Sequence, residues 1–282
     1  MQRDHQAHHH AMPLFVTITA IAMFSVMDAL MKRASIAGGV YSSLLVRSLL
    51  GWVITGTIWR LRGGRMPSGK VMRLHALRGL VGCVTASTFF YGLVRTPMAV
   101  GMALSFMAPL FALYLAAVTL GETIRPAAIK GSLVGFSGVI VIAAERMGGT
   151  AMQGAAVEGI IAIFISAASY GWNLILQRKQ AQLALPGEVA VFQNLFFAVF
   201  MLPLAPWLWS VPPAGEWGDI AAAALLATLS LMLLAWAYAR AEAQILLPLE
   251  YTAFVWAAVM GWLWFGEVPT PGTLAGVVLI VS

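Results

Sequence analysis

The sequence predicts an all-α integral membrane protein, with ten transmembrane helices arranged as two inverted five-helix repeats around a central cavity. Three observations carry that prediction. Of 282 residues, 60% are hydrophobic and 10% charged, with mean hydropathy +0.85, whereas a soluble domain carries about 25% charged residues. Apolar segments of spanning length recur along the whole chain. The chain also repeats itself, because Arg240–Pro271 falls on Arg95–Pro126 when shifted back by 145 residues.

Crossing the hydrocarbon takes about 20 apolar residues. Residues 1–11, with Arg3, His5, His8, His9 and His10, form a polar segment expected as a mobile N-terminal tail. The spans are then Pro13–Met31, Val40–Leu61, Leu74–Val94, Pro97–Leu120, Pro126–Ala144, Ala155–Leu176, Pro186–Leu208, Trp217–Ala239, Ala243–Phe265 and Pro271–Ser282. The last is too short to span, so the tenth helix is expected to be truncated at Ser282. Pro97, Pro126, Pro186 and Pro271 open their helices, where no amide donor is needed. Connections are short and leave no room for a domain outside the membrane.

Within the repeat, Leu249 lands on Leu104, Ala253 on Ala108, Ala257 on Ala112, Gly266-Glu267 on Gly121-Glu122 and Pro271 on Pro126. Residues 12–146 form the first repeat and 155–282 the second. Placing the Arg60–Arg73 loop in the cytoplasm puts Arg3, Arg60, Arg62, Arg65, Lys70, Arg73, Arg125, Lys130, Arg178, Lys179 and Arg240 on that side. Only Lys32, Arg33, Arg95 and Arg146 fall on the other, a bias that orients both termini to the cytoplasm. Repeats with an odd number of spans enter the membrane in opposite directions, the architecture of many secondary transporters.

Composition and motifs narrow the function classes. The net charge of +6 lies in short loops, where it orients the protein, and nucleic acid is not an expected partner. Cys83 is the single cysteine, so neither an intrachain disulfide nor a cysteine metal cluster is expected. The sequence has no H-E-x-x-H, G-x-S-x-G or P-loop pattern, so neither an enzyme nor a cofactor or metal site is expected. Gly131 with Gly135, and Gly272 with Gly276, are spaced for close helix approach. They read as packing within a half ahead of a dimer contact, and a monomer in membrane lipid is expected.

Ionisable groups at membrane depth are candidate functional residues because they are costly there. Asp28 and Arg47 lie at similar depth, as an ion pair or proton site. Arg78 is matched with Glu122 as a structural bond. Glu250 sits beside Pro248, where a helical hydrogen bond is lost, and its repeat partner is Ser105, one turn before Pro109. The offset also pairs Phe24 with Ser169, Met27 with Trp172, Thr85 with Ser230 and Phe106 with Tyr251. Such a mixture suits an amphiphilic small molecule with an apolar body. Trp207, Trp209, Trp217, Trp262 and Trp264 are expected in the interfacial belts.

The repeated Gly-Glu stops followed by proline (Gly121-Glu122…Pro126 and Gly266-Glu267…Pro271), with Ala108-Pro109-Leu110 and Glu250, resemble the drug/metabolite transporter superfamily, EamA type. Many members follow that glutamate with proline, whereas this chain has Tyr251. More narrowly, the chain resembles the bacterial aromatic amino acid exporters of that superfamily. The resemblance implies export across the bacterial inner membrane through a cavity lined by helices 1, 3, 4, 6, 8 and 9. Aromatic amino acids and their analogues are the implied substrates.

The resulting expectation is alternating access. Phe106, Trp172 and Tyr251 stack on the apolar body, while Ser105, Thr85, Ser230 and Glu250 hold the amino and carboxylate groups. Phe24 and Ser169 complete the substrate-binding set, and Pro109 and Pro248 are the helix breaks. A proton carried at Asp28 and Glu250 and an uncoupled facilitator are equally compatible. The nearest rival is a nucleotide-sugar, phosphorylated-metabolite or drug transporter of the same fold. A membrane enzyme lacks a deep nucleophile–base pair, and a scaffold has no need of polar groups at depth.

Overall fold

The computed structural model describes residues 2–120, 130, 133–134, 136–138, 140–142, 144, 154–238, 240, 246 and 249–281. All secondary structure among them is helical. The elements are α1 (Gln2–Gly38), α2 (Val40–Leu61), α3 (Gly69–Leu93), α4 (Met98–Ser105), α5 (Ala108–Leu120), α6 (Gly154–Ala181), α7 (Pro186–Met201), α8 (Ala205–Leu208), α9 (Trp217–Tyr238), α10 (Thr252–Phe265) and α11 (Pro271–Val281). Helical residues also occur between 130 and 144 and at Leu246, Leu249 and Glu250. The helical backbone continues outward from Met12 to Gln2, through the residues expected as a tail.

Among the described residues, six helices are long and apolar enough to cross a membrane: Met12–Gly38, Val40–Leu61, Gly69–Leu93, Gly154–Gln177, Pro186–Leu208 and Ala214–Leu234. Met98–Ala112 and Thr252–Phe265 are shorter apolar helices. Two expected spans are interrupted. Leu202–Leu204 tightens to a 3-10 turn between α7 and α8, where Pro203 and Pro206 withhold amide donors. The fourth expected span breaks between α4 and α5. There Phe106 and Met107 donate to Ala103 and Leu104, three residues back, at 3.2 Å each.

Partners distant in sequence hold the bundle together. The most extensive interfaces are α3 with α6 and α1 with α9, followed by α2 with α7 and α3 with α7. One core joins Met31, Leu44, Phe90, Met98, Phe197 and Ala257, and a second joins Leu104, Met107, Ile142, Ile163 and Phe254. Close approach requires glycine at two seams. A Cβ on Gly92 would fall 2.6 Å from the Gly159 carbonyl oxygen, and one on Gly276 would fall 2.6 Å from that of Gly138. Gly276 therefore packs α11 against the helical residues Gly138 and Ile142. The contact runs between residues far apart in the chain; Gly131 and Gly135 lie outside the described residues.

Exposed apolar side chains form an outer surface. Trp207, Trp209, Trp217, Trp262 and Trp264 are all exposed, as belt residues require.

Candidate functional site

Two helix breaks meet. Pro109 cannot donate to the carbonyl four residues back, and the chain leaves helical geometry between Ser105 and Ala108. The matching position of the second copy, Tyr251, is a turn between Glu250 and the start of α10. Phe106 and Tyr251, related by the 145-residue offset, touch edge to face with ring centroids 5.2 Å apart and planes at 88°. Both rings are half-buried. Pro248, expected as the second break, lies outside the described residues. Glu250 is exposed and within electrostatic reach of Tyr170 on α6. The Ser105 hydroxyl donates to the Gly101 carbonyl at 2.9 Å.

A polar chain joins α3, α6 and α7. Arg78 Nε donates to Asn173 Oδ1 at 3.2 Å, and its Nη1 donates to Gln180 Oε1. Gln180 Nε2 pairs with His75 Nδ1, and His75 Nε2 lies 2.9 Å from Glu188. Arg78 is thus held by neutral acceptors among the described residues, whereas Glu122, its expected partner, lies outside them. Farther along α3, the Thr85 hydroxyl donates to Val81 O, and Thr85 O accepts from the Ser166 hydroxyl, both at 2.8 Å.

Asp28 on α1 and Arg47 on α2 feel each other's charge but make no N–O contact within 4.0 Å among the described residues. Of the two expectations for them, ion pair or proton site, a direct ion-pair contact is not made among the described residues. Arg47 Nη1 approaches only Met27 Sδ, at 4.0 Å, and its guanidinium lies 5.9 Å from the Phe197 ring centroid. Phe24 packs against the neighbouring core. Ser230 on α9 is fully buried, with its hydroxyl unpartnered among the described residues.

One turn beyond Asp28, a buried ion pair closes the end of the bundle. Lys32 Nζ pairs with Glu267 Oε1 and donates to Thr96 O at 2.9 Å. The Phe265 ring lies 4.6 Å from the same ammonium. Glu267 Oε2 accepts from the Met98 N–H at 2.7 Å, satisfying a donor that the first turn of α4 leaves unpaired. Gly266, at φ 64°, ends α10 in the left-handed region and turns Glu267 back toward Lys32. In the sequence Lys32 reads as a charge at the non-cytoplasmic face and Glu267 as part of a helix stop. The only signal was a charged pair at matching span ends.

Ser169 and Trp172 are placed elsewhere. They line an apolar groove of about 470 Å³ with Leu80, Val81, Val84, Phe111 and Leu115. Trp172 shares the exposed stripe of Ile161 and Ile165. Trp172 is thus set in this groove beside α3 and α5, apart from the Phe106–Tyr251 contact, while Ser166 and Asn173 of the same helix bond to α3.

A helical, multi-pass membrane protein with broken spans and charged groups at depth is a small-molecule transporter by class. The EamA-like transporter family model matches residues 11–144 and 157–282. The chain belongs to that family. It is 30% identical over 272 residues to the pseudopaline exporter of Pseudomonas aeruginosa, covering 95% of this chain and 93% of that protein. A probable terminal-alkyne amino-acid exporter of Streptantibioticus cattleyicolor is 28% identical over 274 residues, covering 93% and 87%. An S-adenosylmethionine uptake transporter of Rickettsia felis is 26% identical over 208 residues, covering 74% and 69%. One solved structure superposes with TM-score 0.63 at 22% identity, covering 96% of this chain and 94% of that one.

Proposed function

We propose that this transporter exports small amino-acid-like metabolites, aromatic amino acids and their analogues foremost, across the bacterial inner membrane by alternating access. The Phe106–Tyr251 contact carries the reading. It joins two positions equivalent under the repeat, each at a break in its helix, where side chains and free carbonyls are offered to a ligand. Ten spans in two inverted halves, 12–146 and 155–282, with both termini cytoplasmic, complete the architecture. Two of the three relatives described above are exporters, one of an amino acid. In this reading Glu250 stands at the cytoplasmic mouth, and the Lys32–Glu267 pair closes the opposite end. Phe24, Thr85, Ser105, Ser169, Trp172 and Ser230 stay on the candidate list, with Trp172 and Ser169 on the outer groove.

Efflux of radiolabelled phenylalanine and tryptophan from proteoliposomes, with and without a pH gradient, tests the proposal. Saturable efflux of either is the expected outcome. Acceleration by the gradient would assign proton coupling, and indifference to it a facilitator. Efflux of neither sinks the aromatic assignment. A nucleotide-sugar carrier would instead exchange nucleotide phosphates in the same vesicles.

A further inference from the structure

Asp28 and Arg47 are two half-buried opposite charges on adjacent helices; Arg47 Nη1 reaches Met27 Sδ, beside Asp28, at 4.0 Å, yet the two charges make no direct contact among the described residues. The neighbouring charges on α1 behave differently: Lys32 pairs directly with Glu267, and Arg33 with Asp219 at 2.5 Å. Asp28, half-buried, makes no ion pair among the described residues, and the Nε of Arg47 is buried and unpartnered among them. Two polar groups beside them are in the same state as the Arg47 Nε. Ser25, one turn before Asp28, is 1% exposed, and Ser43, one turn before Arg47, is fully buried. Neither hydroxyl has a partner among the described residues. Buried polar groups are ordinarily bonded, and those left over need an explanation; charges at membrane depth need one more.

We infer that Asp28 and Arg47 bracket the head group of a zwitterionic substrate: Asp28 takes the ammonium and Arg47 the carboxylate of one α-amino acid. The two groups on one carbon match one anionic and one cationic receptor, and a simple ion would satisfy only one of them. The guanidinium fork suits a carboxylate, and the Ser25 and Ser43 hydroxyls supply further bonds. The Phe197 ring beneath Arg47 and the partly buried Phe24 nearby offer apolar contact to the body. The Lys32–Glu267 pair lies one turn farther along α1, so it seals this bracket at its own end. This inference rests on the proposed amino-acid-like substrate and assigns its head group.

The test uses the full chain in proteoliposomes, with competition for L-phenylalanine and L-leucine counterflow by L-phenylalanine, phenethylamine and 3-phenylpropionate. The wild type should prefer the zwitterion by about tenfold or more, the worth of a hydrogen bond to a charged group. Arg47→Gln should lose preference over phenethylamine only, and Asp28→Asn over 3-phenylpropionate only. Melting of the ligand-free protein gives a second readout: each single neutralisation should leave Tm unchanged or raised. For a structural ion pair each would lower Tm, and the double variant would restore it. A wild type that takes the amine or the acid as well as the amino acid overturns the inference. So do single variants that lose every competitor together with Tm. Counterflow of L-leucine alone, with the same charge pattern, keeps the head-group site and rejects the aromatic assignment. Intact discrimination in both variants rejects the site and leaves export standing.

Discussion

Lys32 and Glu267 neutralise each other where water is scarce, with side chains 4% and 20% exposed. Breaking a buried pair from one side costs about 3–5 kcal/mol, because the remaining charge is uncompensated. Lys32→Met and Glu267→Gln should each lower Tm strongly in a detergent melt, and the double variant should recover most of the loss. Glu267→Gln should be the milder single change, since an amide oxygen can still accept from the Met98 N–H. Equal and additive losses would mean the residues act separately. Phe106 and Tyr251 offer a smaller effect. An aromatic pair is worth about 0.5–1.5 kcal/mol beyond its buried area, so Tyr251→Ala should weaken substrate transport several-fold while Tyr251→Phe stays near wild type. Of these residues, Phe106 and Tyr251 were legible in the sequence, because the repeat offset pairs them. Lys32 and Glu267 were not: they are 235 residues apart, and no local pattern links a span end to a stop in the other half. The lack of a direct contact between Asp28 and Arg47 was equally hidden, since similar depth says nothing about side-chain reach.

At the scale of elements, periodicity found where helices lie better than where they break. Gly266 was legible as a stop because a left-handed residue is a common helix terminus and glycine adopts it freely. Pro109 was legible as a weak point, yet the α4–α5 break precedes it at Phe106 and Met107, where the hydrogen bonds shorten to three residues. Pro109→Ala restores the missing donor and should raise Tm while slowing turnover, as a straightened helix loses its junction. Faster transport at higher Tm would remove the break from the mechanism. Rotation about the helix axis was the least legible property. The α6 sequence is apolar on most sides, so Trp172 was as well suited to a cavity as to an outer groove. Its packing beside α3 and α5 places it in the groove. The glycine seams follow the same logic: Gly276→Leu should clash with Gly138 and Ile142, lowering stability by about 1–3 kcal/mol as overpacking does.

At the scale of the whole molecule, the interfaces obey the repeat. Shifting by one copy converts the α1–α9 interface into α6–α3, and these are the two most extensive in the bundle. The α2–α9 interface likewise becomes α7–α3, while α2–α7 maps onto itself. In the proposed alternating-access reading, that correspondence lets the two halves exchange roles. The exchange is unequal at the ends, because the position equivalent to Lys32 is Gln177 and the one equivalent to Glu267 is Glu122. One end is closed by an ion pair, and its sequence counterpart offers only an amide and a carboxylate. The Lys32–Glu267 end should therefore be the harder to open, and opening it should be obligatory for transport. In a Cys83→Ala background, Lys32→Cys with Glu267→Cys can be bridged by a short bis-methanethiosulfonate reagent, whose reach exceeds a disulfide's. Bridging should abolish counterflow, and reduction should restore it to the level of the unbridged double variant. Each single cysteine treated alike should keep its activity. Undiminished counterflow in the bridged protein would show that substrate leaves by another route, and the clasp would then be a fixed strut between the halves.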